Sequence, residues 1–453
     1  MKILIAGGGK IGSSLTAHLT EEGHELTVID CSADVLEDLM GRYDVIGVEG
    51  NAASMATLET AGVKEADLFI AATDMDEVNL LACMTAHGMN NKLTTIGRIR
   101  NPEYRTQAFE MRDIFGLTMS VNPEQRAARE IARLLKYPGF LSIDTFAKGN
   151  VEIVELKVDG RNPLCNNPLS RLSDIIHTSV LVCAVQRNGE TIMPDGNFVI
   201  RENDLLFITA PTEHLTTLLK NLGIITKQAK RVLIAGGGRI SYYLVKELEK
   251  TGMDCTIVEM NPARCRELAE MLPNATIVEG DASSQEFLDM EGVGASDAVI
   301  TLTGLDELNI VISLYANTRN VSQVVTKLSH AENNKILDSL ELGAVISPKE
   351  LASFAIVRYV RAMKNQQGSA VAVHRMGGGK IEAIEFMVEK DTRHIGEKLK
   401  DVNIRKNVLI VSILGGGRVE IVTGNSKLKE GDSVVIVTTP DMHINQLNDI
   451  FGD

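Results

Sequence analysis

The period of the apolar positions along this chain changes several times, and the changes mark its elements. Residues 3–6 are an unbroken apolar run, as in a strand of a parallel sheet buried on both faces. Ile11, Leu15 and Leu19 then recur at helical spacing. Runs at 26–29, 45–48, 68–72 and 94–99 predict further strands, with a helix over 76–87 between the last two. This alternation predicts an α/β fold with a doubly wound parallel sheet. A helix is expected from Pro123, with Ala127, Ala128, Ile131, Leu134 and Leu135 on one face, and it breaks at Tyr137-Pro138-Gly139. Beyond the break the texture changes. Strands at 151–158, 180–186 and 205–208, a turn at Arg187-Asn188-Gly189-Glu190 and a short helix at 170–176 predict a small α+β module.

The whole pattern then starts again. Residues 2–30 and 231–259 align without gaps, with 11 of 29 positions identical. Gly50-Asn51-Ala52 corresponds to Gly280-Asp281-Ala282. Thr73, Asp76 and Asn79 correspond to Thr303, Asp306 and Asn309, Arg98 to Lys327, and Pro123 to Pro348. The period is about 229 residues, so the chain is a tandem duplication. The small module recurs at 381–388, 408–414 and 434–438, with Gly415-Gly416-Gly417 at the turn. Four domains are expected: doubly wound units at 1–138 and 230–364, and small α+β units at 139–225 and 369–453. The linkers fall near 225–230 and 365–368.

Composition narrows the function. The chain has 453 residues, 44% of them hydrophobic, which fits several packed domains and not a disordered chain. Lys plus Arg is 46 against 60 Asp plus Glu, a formal charge of −14. Such a chain has no general attraction to DNA, RNA or anionic lipid. With no Trp and 4% aromatics, stacking on nucleic acid is disfavoured as well. No run approaches the ~18–20 apolar residues of a membrane-spanning helix, so no direct membrane insertion is expected. The first residues enter a strand at once, which reads as a cytoplasmic protein without a signal peptide. Six scattered cysteines form no C-x-x-C pair, which argues against a zinc site or a disulfide framework.

The chemistry lies in the glycine loops. Gly7, Gly9 and Gly12, with Gly8, Lys10 and Ile11 between them, form G-x-G-x-x-G directly after a strand and at the start of a helix. One glycine makes the tight turn, the next admits a pyrophosphate, and the third lets helix and strand pack closely. The helix N-terminus offers free N–H groups to phosphate. Asp30 ends the second strand, where a carboxylate accepts both ribose hydroxyls and repels a 2′-phosphate, favouring NAD over NADP. In the second copy Gly236, Gly237, Gly238, Arg239 and Ile240 repeat the loop, Glu259 repeats the acid, and Ser241 replaces the third glycine. Thr73-Asp74 and Thr303 follow strands at the ligand edge of such a sheet. Asn51-Ala52 and Asp281-Ala282 would lie near adenine by the same argument, and Arg98 and Lys327 where a cation neutralises phosphate. Lys10 and Arg239 suit a γ-phosphate from the same or a neighbouring subunit. Catalysis has little support: nine dispersed histidines form no metal or nucleophile motif. Glu124, after Asn122-Pro123, is a candidate cation ligand or a helix-start charge.

These motifs, with Asp76-Glu77, Asn79 and Ile99-Arg100-Asn101-Pro102-Glu103-Tyr104, make the chain resemble the RCK family over essentially its whole length. The resemblance implies Rossmann-type nucleotide domains, each followed by a small C-terminal subdomain. It implies a regulatory subunit that does no chemistry and controls a membrane potassium transporter subunit. NAD(H) and ATP or ADP are the implied ligands, and the protein would sit peripherally at the inner face of the plasma membrane. It carries over to the glycine loops, Asp30, Thr73, Asp74, Arg98, Glu259, Thr303 and Lys327, and assigns a cation to Glu124. Lys349 stands at the position of Glu124 in the second half, which puts an equivalent cation site there in doubt. Four nucleotide folds per dimer imply a homodimer or larger. The alternative reading is an NAD-dependent cytosolic oxidoreductase, for which a sizeable catalytic domain is missing.

Overall fold

The computed structural model describes residues 1–160, 162–224, 229–329, 340, 342–364 and 370–452. The expected linkers lie outside these residues apart from Ala229 and Lys230.

The first segment runs β1 (Lys2–Ala6), α1 (Lys10–Glu21), β2 (Glu25–Asp30), α2 (Ala33–Arg42), β3 (Ile46–Glu49), α3 (Met55–Thr60), β4 (Leu68–Ala71), α4 (Asp76–Met89), β5 (Thr94–Arg98), α5 (Pro102–Glu110), β6 (Met119–Val121) and α6 (Pro123–Lys136). Its sheet is parallel, in the order β3-β2-β1-β4-β5-β6. Ile3, Leu4 and Ile5 on β1 are buried because helices cover both faces. Chain progress reverses direction between β1 and β4, so the carboxyl ends of these two strands frame a crevice.

The small segment follows with β7 (Phe140–Phe146), β8 (Val151–Lys157), α7 (Leu172–Ile176), β9 (Leu181–Arg187), β10 (Glu190–Ile192), β11 (Leu205–Pro211) and α8 (Leu215–Asn221). Its antiparallel sheet has the order β10-β9-β11-β8-β7. The expected β9–β10 turn forms at Asn188 and Gly189, both with positive φ, the requirement of the tight hairpin turn.

The second copy repeats both layers. It contains β12 (Arg231–Ala235), α9 (Arg239–Leu248), β13 (Asp254–Glu259), α10 (Pro262–Met271), β14 (Thr276–Glu279), α11 (Gln285–Met290), β15 (Ala298–Thr301), α12 (Asp306–Thr318), β16 (Gln323–Lys327), β17 (Ala344–Ile346) and α13 (Pro348–Lys364). The small sheet is built from β18 (Ala372–Met376), β19 (Ile381–Met387), β20 (Val408–Gly415), β21 (Arg418–Ile421) and β22 (Ser433–Thr438). The orders β14-β13-β12-β15-β16-β17 and β18-β19-β22-β20-β21 reproduce those of the first copy.

Contacts group the chain into two compact units. One comprises Met1–Arg129, Tyr242–Leu244 and Ser347–Val360. Within it Ser14 Oγ donates to Glu350 Oε1 at 3.0 Å. Tyr243 Oη donates to the Arg100 carbonyl at 2.9 Å and accepts from Asn122 Nδ2 at 3.0 Å. Parts of α9 and α13 are thus built into the unit of the first parallel sheet. The other unit comprises Glu130–Ser241, Val245–Ile346 and Arg361–Asp453. Within it the two antiparallel sheets share a core, with Phe146, Ile153 and Phe207 against Ile381, Val411 and Val435.

Candidate functional site

The two candidate sites form at the carboxyl ends of β1 and β4 and of β12 and β15. Gly7 and Gly236 have φ of +96° and +103°, in the left-handed region that disfavours other residues. A Cβ on Gly7 would lie 3.0 Å from the backbone of Ala72 and Thr73, and one on Gly236 would lie 2.9 Å from Leu302. These turns therefore bring each glycine loop against the threonine loop across the crevice. Gly9 and Gly238 are the N-cap residues of α1 and α9 and make no side-chain cap bond. A Cβ there would meet nothing within 4 Å, so this part of each loop is open. The first N–H groups of both helices remain for an anion. Lys10 and Arg239 open the helices as exposed cations, while Ile11 and Ile240 are buried anchors.

The acids at the ends of β2 and β13 are fixed by backbone donors. Asp30 Oδ2 accepts from Gly8 N–H at 2.7 Å and Oδ1 from Ser32 N–H at 2.9 Å. Glu259 makes the same pair, with Gly237 N–H at 2.7 Å and Asn261 N–H at 2.8 Å. Each carboxylate is oriented at the edge of its glycine loop and retains lone pairs for ribose hydroxyls. Asn51 and Asp281 follow next to the acids, because Gly50 N–H bonds the Asp30 carbonyl and Gly280 N–H the Glu259 carbonyl. Their side chains close local turns onto Ala53 N–H and Ser283 N–H. The Ser283 N–H holds the Asp281 carboxyl below its ordinary range. Ala52 and Ala282 are buried in the core beneath.

Opposite the glycines, Thr73 is held by Asn79. Asn79 Oδ1 accepts from Thr73 N–H at 2.9 Å and Thr73 Oγ1 at 2.7 Å, while its Nδ2 donates to the Thr73 and Arg98 carbonyls. Thr303, Asn309 and Lys327 repeat this network. The two asparagines are fully buried, and the sequence shows them only as repeated motif positions. Their signal was a polar residue recurring inside a helix at the same place in both copies. Asp76, another repeated motif position, accepts from Arg100 N–H and Asn101 N–H at 2.7 Å each, securing the turn after β5. Arg98 Nη1 reaches the Thr73 carbonyl and Asp74 at 3.3 and 3.2 Å. Burial holds its guanidinium below the usual range, and Arg100 adds to this, while Glu124 and Asp74 act the other way. Lys327 Nζ donates to the Thr303 carbonyl at 2.5 Å.

Glu124 stands near Arg98 at the start of α6, and its Oε2 is buried without a hydrogen-bond partner among the described residues. Among the described residues no group of three or more His, Cys, Asp or Glu side chains is placed to hold a metal ion. Among them no helix is long and apolar enough to cross a membrane.

The third glycine separates the copies. A Cβ on Gly12 would stand 1.8 Å from the Gly7 carbonyl oxygen. Ser241 has that Cβ, is fully buried, and its Oγ donates to the Gly236 carbonyl at 2.5 Å. The second loop thus engages by a hydrogen bond the carbonyl that the first loop packs against bare helix.

The TrkA-N domain model matches residues 3–123 and 232–348, and the TrkA-C domain model matches 153–223 and 383–452. The Trk system potassium uptake protein TrkA of Vibrio alginolyticus is 30% identical, covering 100% of this chain and 98% of that protein. A TrkA homolog of Archaeoglobus fulgidus is also 30% identical, covering 100% of each. Among solved structures, the GsuK channel bound to NAD superposes with a TM-score of 0.60 at 19% identity, covering 97% of this chain and 77% of that one. The GsuK RCK domain gives 0.61 at 19% identity, covering 97% and 92%. These likenesses show the fold that the repeats and their sheets display.

Proposed function

This chain belongs to the TrkA family, and from that membership we propose that it is a nucleotide-binding regulatory subunit that gates a Trk-type membrane potassium transporter. The observation that supports this best is the doubled glycine loop with its acid and its asparagine-held threonine, in a chain matched end to end by potassium uptake proteins. At the first site NAD(H) would place its pyrophosphate over Gly9 and the start of α1 and its ribose on Asp30, with Arg98 balancing charge. Asn51 would stand near the adenine. At the second site Gly238, Glu259, Thr303 and Lys327 would hold an adenine nucleotide, ATP or ADP. GsuK has been solved with NAD and with ADP, which shows what that protein binds and lends the assignment its ligand classes. Glu124 would give a cation one carboxylate, with its buried Oε2 as the free acceptor and water or ligand phosphate completing the shell.

The subunit performs no chemistry in this reading. It binds, and binding shifts a conformational equilibrium. A coupling of about 1–3 kcal/mol between nucleotide and transporter surface suffices for gating. The chain acts as a homodimer or larger, peripheral at the inner face of the plasma membrane through the transporter subunit.

Vesicles containing the transporter subunit test this directly. Potassium flux should respond to NADH or ATP only when the chain is added, and the NADH should remain unoxidised. Steady NADH consumption with candidate oxo-acids would favour the oxidoreductase instead. Light scattering at micromolar concentration should give a dimer or larger, and a strict monomer with and without nucleotide would contradict the assembly.

A further inference from the structure

The two sites differ sharply at one position on the helix after the ribose acid. Ser32 is the N-cap of α2 and Asn261 that of α10, so Val35 and Arg264 occupy the same place in the first turn. Val35 covers the first loop with a methyl: a Cβ on Gly8 would come within 2.6 Å of Val35 Cγ1. Arg264 covers the second loop with a cation. Its Nε donates to the Gly237 carbonyl at 2.8 Å and its Nη1 pairs with Glu267 at 2.7 Å. Neither contact uses Nη2. Gly237 also gives its N–H to Glu259, so cation and ribose acid grip the same residue of the loop. The preceding residue changes as well, from Asp34 to Ala263. Counting Asp281, which stands where the first copy has Asn51, each ribose corner carries two carboxylates, and only the second adds a guanidinium.

Helix stability does not explain Arg264. A cation in the first turn opposes the helix dipole, and Glu267 is more than half exposed, where an ion pair contributes little. What the position does supply is a planar, permanently charged donor beside the ribose hydroxyls, the arrangement that accommodates a ribose phosphate.

We infer that Arg264 is a specificity-determining residue of the second site, admitting an adenosine ligand phosphorylated at the ribose 2′ position, NADP(H), that the first site excludes. At the first site a 2′-phosphate would meet Asp30 and Asp34, with the uncharged Val35 at the place of Arg264. At the second it would meet Glu259 and Asp281, offset by a guanidinium whose Nη2 is used by neither the Gly237 nor the Glu267 contact. The inference rests on the nucleotide reading of both loops.

Calorimetric titration of the intact chain with NADPH and NADH tests it. The wild type should bind one NADPH per chain. Arg264→Val, which installs the first-site residue, should weaken NADPH at least tenfold and NADH less than threefold. Arg264→Lys, which keeps the charge without the fork, should fall between. NADPH at both sites, or at neither while NADH binds, would overturn the inference and leave the nucleotide reading standing. Equal weakening of both dinucleotides by Arg264→Val would make the residue structural and overturn it too. Failure of the chain to bind either dinucleotide would instead remove the nucleotide reading, and this inference with it. The wild-type stoichiometry decides even if a variant fails to fold.

Discussion

The two nucleotide domains repeat their scaffolding hydrogen bonds and differ in the side chains around their glycine loops. Asn79 and Asn309 hold their threonines with the same three hydrogen bonds and reach the next strand's carbonyl with a fourth, and Asp30 and Glu259 are fixed by the N–H groups of Gly8 and Gly237. Against this, Gly12 corresponds to Ser241, Val35 to Arg264, and Asp74 to Gly304. Positions whose backbone bonds are buried tolerate little change after duplication, since an orphaned buried group costs about 1–3 kcal/mol. The difference teaches that the backbone-fixing residues were kept in both copies while the side chains beside the glycine loops were not, so two classes of nucleotide site per chain are expected, with the N-terminal site better suited to NAD(H).

The comparison breaks most visibly at the third glycine. Gly12→Ser places a Cβ on the Gly7 carbonyl, and the overpacking should cost about 3 kcal/mol and abolish nucleotide binding at the first site. Ser241→Gly, which removes one hydrogen bond and fits a smaller residue, should cost about 1 kcal/mol. Denaturant melts of the two variants read this directly, and equal losses would make the loops equivalent. Next, Asp30→Arg removes two charge-assisted ribose acceptors and should weaken NADH by roughly 2–3 kcal/mol, or about 30- to 150-fold, at the first site alone. Unchanged affinity on titration would sink the ribose role of Asp30.

A third contrast concerns pH. Glu130 on α6 has Ala355 as its counterpart on α13. Burial pushes the Glu130 carboxyl up to about 7, with Asp144 and Glu152 adding to it and Arg133 opposing. Its ordinary value is 4.5. The folded state therefore binds the proton more tightly than the unfolded one. The stability this gives is full below pH 4.5 and is lost as pH rises through about 7, on the order of 3 kcal/mol. Glu130→Gln should flatten this fall and melt higher than the wild type at pH 8. A parallel pH profile for the two proteins would remove Glu130 from the account. The smallest expected effect is a null difference: Asn79→Ala and Asn309→Ala should each cost about 1–3 kcal/mol and differ from one another by less than about 0.5 kcal/mol. A larger gap in unfolding free energy would mean the shared scaffold is not shared.

The parallel sheets were legible because strands buried on both faces leave continuous apolar runs, such as Ile3 to Ala6, and because the repeat doubles every signal. Strand β7 was not, because it is a sheet edge in which Ser142, Asp144 and Thr145 interrupt the apolar pattern. The short β6 and the helices α2 and α8 were also passed over. At the sites, the glycines and acids were legible from spacing alone. Arg264 was not weighed, since a basic residue in a helix reads as a solvated charge until its guanidinium is seen across the Gly237 carbonyl. The role of Asn79 likewise needed the carbonyl of Arg98, brought in from the neighbouring strand by tertiary structure.

The central claim, that one chain carries two unequal nucleotide sites, is tested most directly by titrating the intact wild type and its Asp30→Arg variant with NADH and ADP. The account predicts two resolvable affinities in the wild type, with the tighter NADH event lost in the variant and the second event unchanged. A single class of two identical sites, weakened together by Asp30→Arg, would contradict it.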